Sequence, residues 1–304
     1  MFDLTNALEI FPFSLNKSAK LELYSEAVQS LTRFHFENCH LYQKLLNKIG
    51  FITDRPHRLE EYPFLPVRLF KENELMSVDR SKIVKTMTSS GTTGQSVSRI
   101  FLDRATASNQ TKALAKIASS FIGTKRLPLL IIDNKSVVKN RNSYSARAAG
   151  ILGFSMFGRD VTYALDEEMR LDFDAVESFC EKHRNEDILL FGFTYIVWKY
   201  LFKPLRESGK TLALENATLL HGGGWKKLFE EAVDNREFNK SLKNVCGIQK
   251  VHNYYGMVEQ TGSIFMECEE GFLHASVYSD VIIRNIDFAP CVINESGLIQ
   301  LQSP

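Results

Sequence analysis

Cysteine is scarce and scattered: Cys39, Cys180, Cys246, Cys268 and Cys291 make five, with no CxxC pair among them. An odd number without close spacing argues against a disulfide framework and a zinc knuckle. Charge of one sign is lacking as well. Lys and Arg total 37 against 36 Asp and Glu, a formal charge of +1, so no electrostatic footprint marks nucleic acid or an acidic partner. No apolar run approaches the roughly 20 residues that cross a bilayer. Met1-Phe2-Asp3-Leu4 does not begin a basic and then apolar leader. Together these absences predict a cytoplasmic protein with reduced thiols, no membrane span and no nucleic-acid partner. Internal repeats and low-complexity tracts are missing too.

What is present reads as a globular α/β chain. Its 304 residues exceed the size at which one core usually stops growing. From Ser18 to Gly50 the apolar positions Leu21, Tyr24, Val28 and Leu31 recur at steps of three and four, predicting one long helix or two short ones closed by Gly50. The prolines in Tyr62-Pro63-Phe64-Leu65-Pro66-Val67-Arg68-Leu69-Phe70-Lys71 predict an extended segment. Beyond Lys85, short apolar runs alternate with amphipathic stretches. The runs at 127–133, 187–193 and 217–221 read as buried parallel strands, with helices around 104–122, 143–152, 172–184 and 195–207. After about residue 262 helical periodicity disappears, and 273–283 and 298–301 read as strands of a small β element. The expected division is an N-terminal helical cap over 1–84, an α/β core over 85–262 and a β-rich segment over 263–304.

Three glycine-containing segments stand where strands are predicted to end, the position at which α/β sheets bind ligands. In Thr88-Ser89-Ser90-Gly91-Thr92-Thr93-Gly94, hydroxyls and glycines bring donors and bare backbone together, as a phosphate cradle requires, although a polar loop would read alike. Gln95-Ser96-Val97 follows, so this is not a Walker loop. His221-Gly222-Gly223-Gly224-Trp225 leaves room for a flat ring against the backbone, or is a tight turn without a ligand. The third is Val251-His252-Asn253-Tyr254-Tyr255-Gly256-Met257-Val258-Glu259-Gln260-Thr261-Gly262, with a carboxylate three residues beyond a glycine.

In this order and spacing the three segments resemble the adenylate-forming superfamily of acyl-CoA synthetases, peptide-synthetase adenylation domains and luciferases. The motifs that match are Ser90-Gly91-Thr92-Thr93-Gly94, Gly222 to Gly224, and Tyr255-Gly256-Met257-Val258-Glu259. A narrower resemblance covers nearly the whole chain. Pro66 to Lys71, Ser89 to Gln95, Leu127-Pro128, Phe191-Gly192-Phe193-Thr194, His221 to Lys227 and His252 to Gln260 are similar to the acyl-protein synthetase (LuxE-like) family of bacterial luminescence. The resemblance implies the large AMP-binding domain of an adenylate-forming enzyme, sheets flanked by helices, with the small mobile C-terminal domain absent from this sequence. It implies ATP-dependent activation of a carboxylic, fatty acid as acyl-adenylate, then acyl transfer to a protein thiol on a reductase or carrier. It also implies ATP held by Ser89, Ser90, Gly91, Thr92, Thr93, Gly94, Gly222, Gly223, Gly224, Tyr255 and Gly256, and Mg²⁺ held by Glu259.

Each role has a physical basis. Attack of a carboxylate on the α-phosphate expels pyrophosphate, whose charge the 90–94 loop would neutralise with N-H groups and hydroxyls. Mg²⁺ prefers carboxylate and phosphate oxygens to a full protein cage, which suits a lone Glu259. The superfamily lysine after the phosphate loop has no counterpart here, and Arg99 is the candidate substitute because its fork binds phosphate bidentately. His252 is a candidate for orienting an anionic group, with a structural role equally open; His221 reads as structural. Cys180-Glu181-Lys182-His183 lacks further ligands and is set aside as a metal site. Phe191, Phe193, Tyr195 and Trp198 either line an acyl pocket or fill the core.

Two other functions stay open: an acyl- or aryl-CoA ligase, with coenzyme A as the thiol, and a nucleotide-binding module with impaired catalysis. The sequence closes at Ser303-Pro304 directly after a predicted strand. The expectation is that further parts of the site belong beyond it and that residues 1–304 alone turn over weakly.

Overall fold

A computed structural model of the chain describes residues 4–89, 96–138, 146–261 and 263–304. The strands are β1 (Ile83–Thr88), β2 (Arg99–Asp103), β3 (Leu127–Asn134), β4 (Gly158–Leu165), β5 (Ile188–Phe193) and β6 (Ala217–Gly222). They continue with β7 (Lys250–Tyr255), β8 (Phe265–Glu267), β9 (Leu273–His274), β10 (Asp280–Arg284) and β11 (Leu298–Gln302). The chain forms two compact units. One comprises residues up to Ala118 with Gly256–Phe265 and Ala275–Pro304; the other comprises Ser119–Tyr255 with Met266–His274.

The first unit starts with helices. Asn16 caps the helix Lys17–Asn38 by accepting the Ala19 N-H at 2.9 Å. The next helix, His40–Ile49, ends at Gly50, whose φ of 67° turns the chain in the left-handed region. Of the two arrangements expected for 18–50, the pair of helices is found. The stretch after Tyr62 departs from expectation: Val67–Glu72 is a helix rather than extended. Pro66 stands just before it with φ −58°, where its missing N-H costs no helical bond. Tyr24 is fully buried and donates to the Val277 carbonyl at 3.4 Å, Tyr278 donates to Ile10 at 2.9 Å, and Gln302 Nε2 donates to Leu59 at 3.1 Å. The C-terminal segment is thus stitched to the N-terminal one. β1 and β2 form an antiparallel hairpin, and so do β10 and β11.

The second unit is built on a seven-stranded sheet in the order β4-β3-β5-β6-β7-β8-β9, parallel from β4 through β7. Leu129 to Ile132 and Ile188 to Phe191 are buried without interruption, as strands covered on both faces must be. The helix Phe173–Lys182, the helical stretch over 194–208 and the helix Asn235–Cys246 supply Val176, Phe179, Ile196, Leu201, Phe238 and Leu242 to one core. Within 194–208 a π-turn at Trp198–Phe202 precedes Pro204. A proline ring collides with the carbonyl four residues back, and widening the turn relieves this. No helix among the described residues is long and apolar enough to cross a membrane.

Candidate functional site

In the second unit the polar groups gather at the carboxyl ends of β5, β6 and β7. β6 ends in Gly222, and a Cβ there would lie 2.6 Å from Cε1 of Tyr254, the facing residue on β7. The Tyr254 ring therefore lies on bare backbone that no other residue type would leave. It is tilted against Phe154 at 5.0 Å and stacked with Phe191 at 6.2 Å; burial pushes its phenol well above the usual tyrosine range. Gly223 turns with φ 79°, and no atom lies within 4 Å of a Cβ placed on Gly224. The face expected to be open across all three glycines is thus filled at Gly222 by the chain's own tyrosine. Tyr255, the ring expected to stack there, ends β7 with an exposed side chain.

Thr194, directly after β5, ties this turn down. Its hydroxyl donates to the Gly222 carbonyl at 3.2 Å and meets His221 Nδ1 at 2.9 Å. His221 is buried, stacked on Phe238 at 4.6 Å. Burial, with His252 adding to it, lowers its pKa to about 3, so the ring is neutral. His252 is also buried: Nδ1 meets the Glu267 carbonyl at 3.0 Å and the edge of the ring meets Phe121. The Glu267 carboxylate accepts from Asn235 Nδ2 at 2.6 Å and from the Asn253 N-H at 3.1 Å.

Two polar groups here escaped sequence reasoning. Glu267 had no signal, since one acid after Phe265-Met266 reads like any strand residue. Asp133 could have been found, because it closes an apolar strand. It is buried and held by both arms of Arg147, with Nε 2.6 Å from Oδ2. Burial alone would lower the guanidinium pKa; Asp133 outweighs it and raises it.

The aromatic residues left between pocket and core divide. Phe191 and Trp198 are buried, Trp198 against Phe202, Trp225 and Phe238, while Phe193 and Tyr195 flank the core half-buried. Cys180 belongs to the same core, its thiol pushed up to about 11 by burial, and His183 pairs with Asp160 and Glu186. No cluster of three metal-ligating side chains occurs among the described residues.

In the first unit Thr88, which opens the phosphate-loop segment, ends β1, a strand paired antiparallel with β2 and not part of the parallel sheet. Ser90, Gly91, Thr92, Thr93 and Gly94 lie outside the described residues, as does Gly262. The base is clasped by Ser89: its N-H donates to the Ser98 carbonyl at 3.2 Å, and its Oγ accepts the Ser98 N-H at 2.9 Å. Arg99 opens β2 with Nη1 3.2 Å from Glu74, which also pairs with Arg80. The other candidates sit on the turn after Gly256, where the Gln260 N-H donates to Met257 at 3.2 Å. Glu259 is half-buried on that turn, and among the described residues its carboxylate has neither hydrogen bond nor ion pair. A carboxylate so placed is open to a cation.

The fold is that of a ligase solved with an acyl-adenylate and CoA. The 2-hydroxyisobutyryl-CoA ligase in open conformation, in complex with 2-HIB-AMP and CoA, matches 95% of this chain and 62% of its own at TM-score 0.71 and 11% identity. In the thioesterification state it matches 96% and 61%, again at 0.71. Within this fold, a family model described as acyl-protein synthetase, LuxE, matches residues 3–304, and the chain belongs to that family. The long-chain-fatty-acid--luciferin-component ligase of Vibrio harveyi is 24% identical over 229 residues, 73% of this chain and 58% of that protein. The Aliivibrio fischeri ligase is 23% identical over 291 residues, 91% and 74%. The chain thus spans just over half the length of the first relative and about three quarters of the second.

Proposed function

We propose that this chain carries the acid-activating site of an acyl-protein synthetase. A carboxylate oxygen of a long-chain fatty acid attacks the α-phosphorus of ATP, and the bond to the departing pyrophosphate breaks. The product is an acyl-adenylate. A protein thiolate then attacks the acyl carbon, forming the thioester and releasing AMP. The observation that carries this reading is the set of three ordered loops within a chain matched by the family from residue 3 to 304.

In this reading the nucleotide-binding work falls to 85–262, between the helical cap over 1–84 and the β-rich segment over 263–304. Ser89 to Gly94 cradle the β and γ phosphates, and Arg99 adds a cation if it turns from Glu74. Adenine lies at Gly223 and Gly224 with Tyr255, because Gly222 is covered by Tyr254. Gly256 stands just before the turn that carries Glu259. The uncommitted Glu259 carboxylate fits Mg²⁺, which when bound offsets charge on the phosphates. His252 keeps Nδ1 on the Glu267 carbonyl, so only Nε2 remains to orient an anionic group. All five cysteines are free thiols, which fits the cytoplasm.

The test is acid-dependent ATP–pyrophosphate exchange by the complete protein across fatty and aryl acids. Exchange that requires a long-chain acid is expected; none with any acid would overturn the reading. Labelled acid then identifies the acceptor: label on a protein thiol is expected, whereas acyl-CoA formed without a partner protein replaces it with coenzyme A.

A further inference from the structure

The first unit contains an apolar groove that none of the roles above uses. The helix His40–Ile49 presents Leu41, Lys44, Leu45 and Lys48 to it, spacings of three and four that place all of them on one face. Leu65 and Leu69 line it as well, and its volume is about 240 Å³. Leu41 is 42% exposed, and Leu45, Leu65 and Leu69 are half-buried, so the walls are apolar yet reachable.

Two exposed lysines stand among the lining residues. Lys44 and Lys48 are one turn apart, a spacing at which like charges repel, and neither has an ion pair among the described residues. The nearby acids are engaged elsewhere, Glu72 with Arg68 and Glu74 with Arg80 and Arg99. Among the described residues these two ammonium groups have no anion. A ligand carrying one would relieve their repulsion while its apolar part covers the leucines.

We infer that this groove binds a free aliphatic monocarboxylate, its chain against the leucines and its carboxylate across Lys44 and Lys48. Its size favours one hydrocarbon chain over a peptide helix, which needs room for anchors over two or more turns. The inference does not depend on the adenylation reading, because the ligand is identified by the chemistry of the groove.

The test uses the full chain without ATP, sodium dodecanoate by calorimetry, and a dodecanoate with a photoreactive diazirine at its methyl end. Labelling within 41–48 or 65–75 is expected, and labelling confined to other peptides overturns the inference. Lys44→Gln with Lys48→Gln should weaken the labelled site at least tenfold with the denaturation midpoint unchanged. Equal affinity in that variant, or for dodecanol, overturns it. Each methylene removed from the acid should weaken binding about fourfold, the equivalent of ~0.8 kcal/mol per buried CH₂. Competition by an acidic amphipathic peptide but not by dodecanoate would assign the groove to a protein partner and also overturn it. Pyrophosphate exchange at saturating acid should survive the double substitution. Groove labelling by a protein that lacks exchange would sink the adenylation reading alone.

Discussion

The carboxyl end of β6 in one unit and the turn over 256–260 in the other both carry glycines of a ligand motif, yet they treat their groups in opposite ways. At Gly222 the missing side chain is taken up by Tyr254, and the carbonyl is held by Thr194. At Glu259 a half-buried carboxylate is left without a partner among the described residues. A group committed within the chain stabilises the fold, and an uncommitted one is open to a ligand. Substitutions in the two regions should therefore separate stability from activity.

The largest expected effect is that of Glu259→Gln. Removing one preorganised electrostatic group, such as an oxyanion-hole donor, from a reacting site typically costs about 10²- to 10³-fold, or ~2.7–4 kcal/mol. Pyrophosphate exchange should fall on that scale with the denaturation midpoint unchanged; full exchange would end the contrast. Gly222→Ala should do the reverse, since its Cβ would sit 2.6 Å from the Tyr254 ring. Overpacking of this kind costs about 1–3 kcal/mol, read by chemical denaturation, and an unchanged midpoint would show that Tyr254 swings away freely.

A smaller, graded effect comes from His221. Its pKa of about 3 in the fold lies below the ordinary 6.5, so the unfolded chain takes up the proton first as pH falls. The stabilisation is complete above about pH 6.5 and is lost by up to ~1.4 kcal/mol per pH unit below it, towards pH 3. His221→Asn should remove that part of the slope in the pH dependence of unfolding. Smallest is Arg99→Ala. Its exposed pair with Glu74 should be worth under ~1 kcal/mol of stability, so an exchange rate that drops tenfold or more would mark a phosphate role.

Much of the fold was legible along the chain. The strands at 127–134, 188–193 and 217–222 and the helices at 104–122 and 173–182 follow from their own residues, because period and apolar content record which faces are buried. β4 was not, since Gly158–Leu165 lies at a sheet edge and mixes polar with apolar residues. The run read over 273–283 is two strands, with Ser276 and Ser279 buried around Ser263 between them. A serine network reads as an exposed turn until its partners are known.

The sequence by itself determined the α/β class, the order of the three loops and the family they point to, because each of these is local or a matter of spacing. Only the tertiary structure decided that Tyr254 and not Tyr255 covers Gly222, that Arg99 pairs with Glu74, and that residues 256–265 and 275–304 join the N-terminal helices in one unit. Those outcomes depend on contacts between residues far apart in the chain, which neither period nor composition encodes.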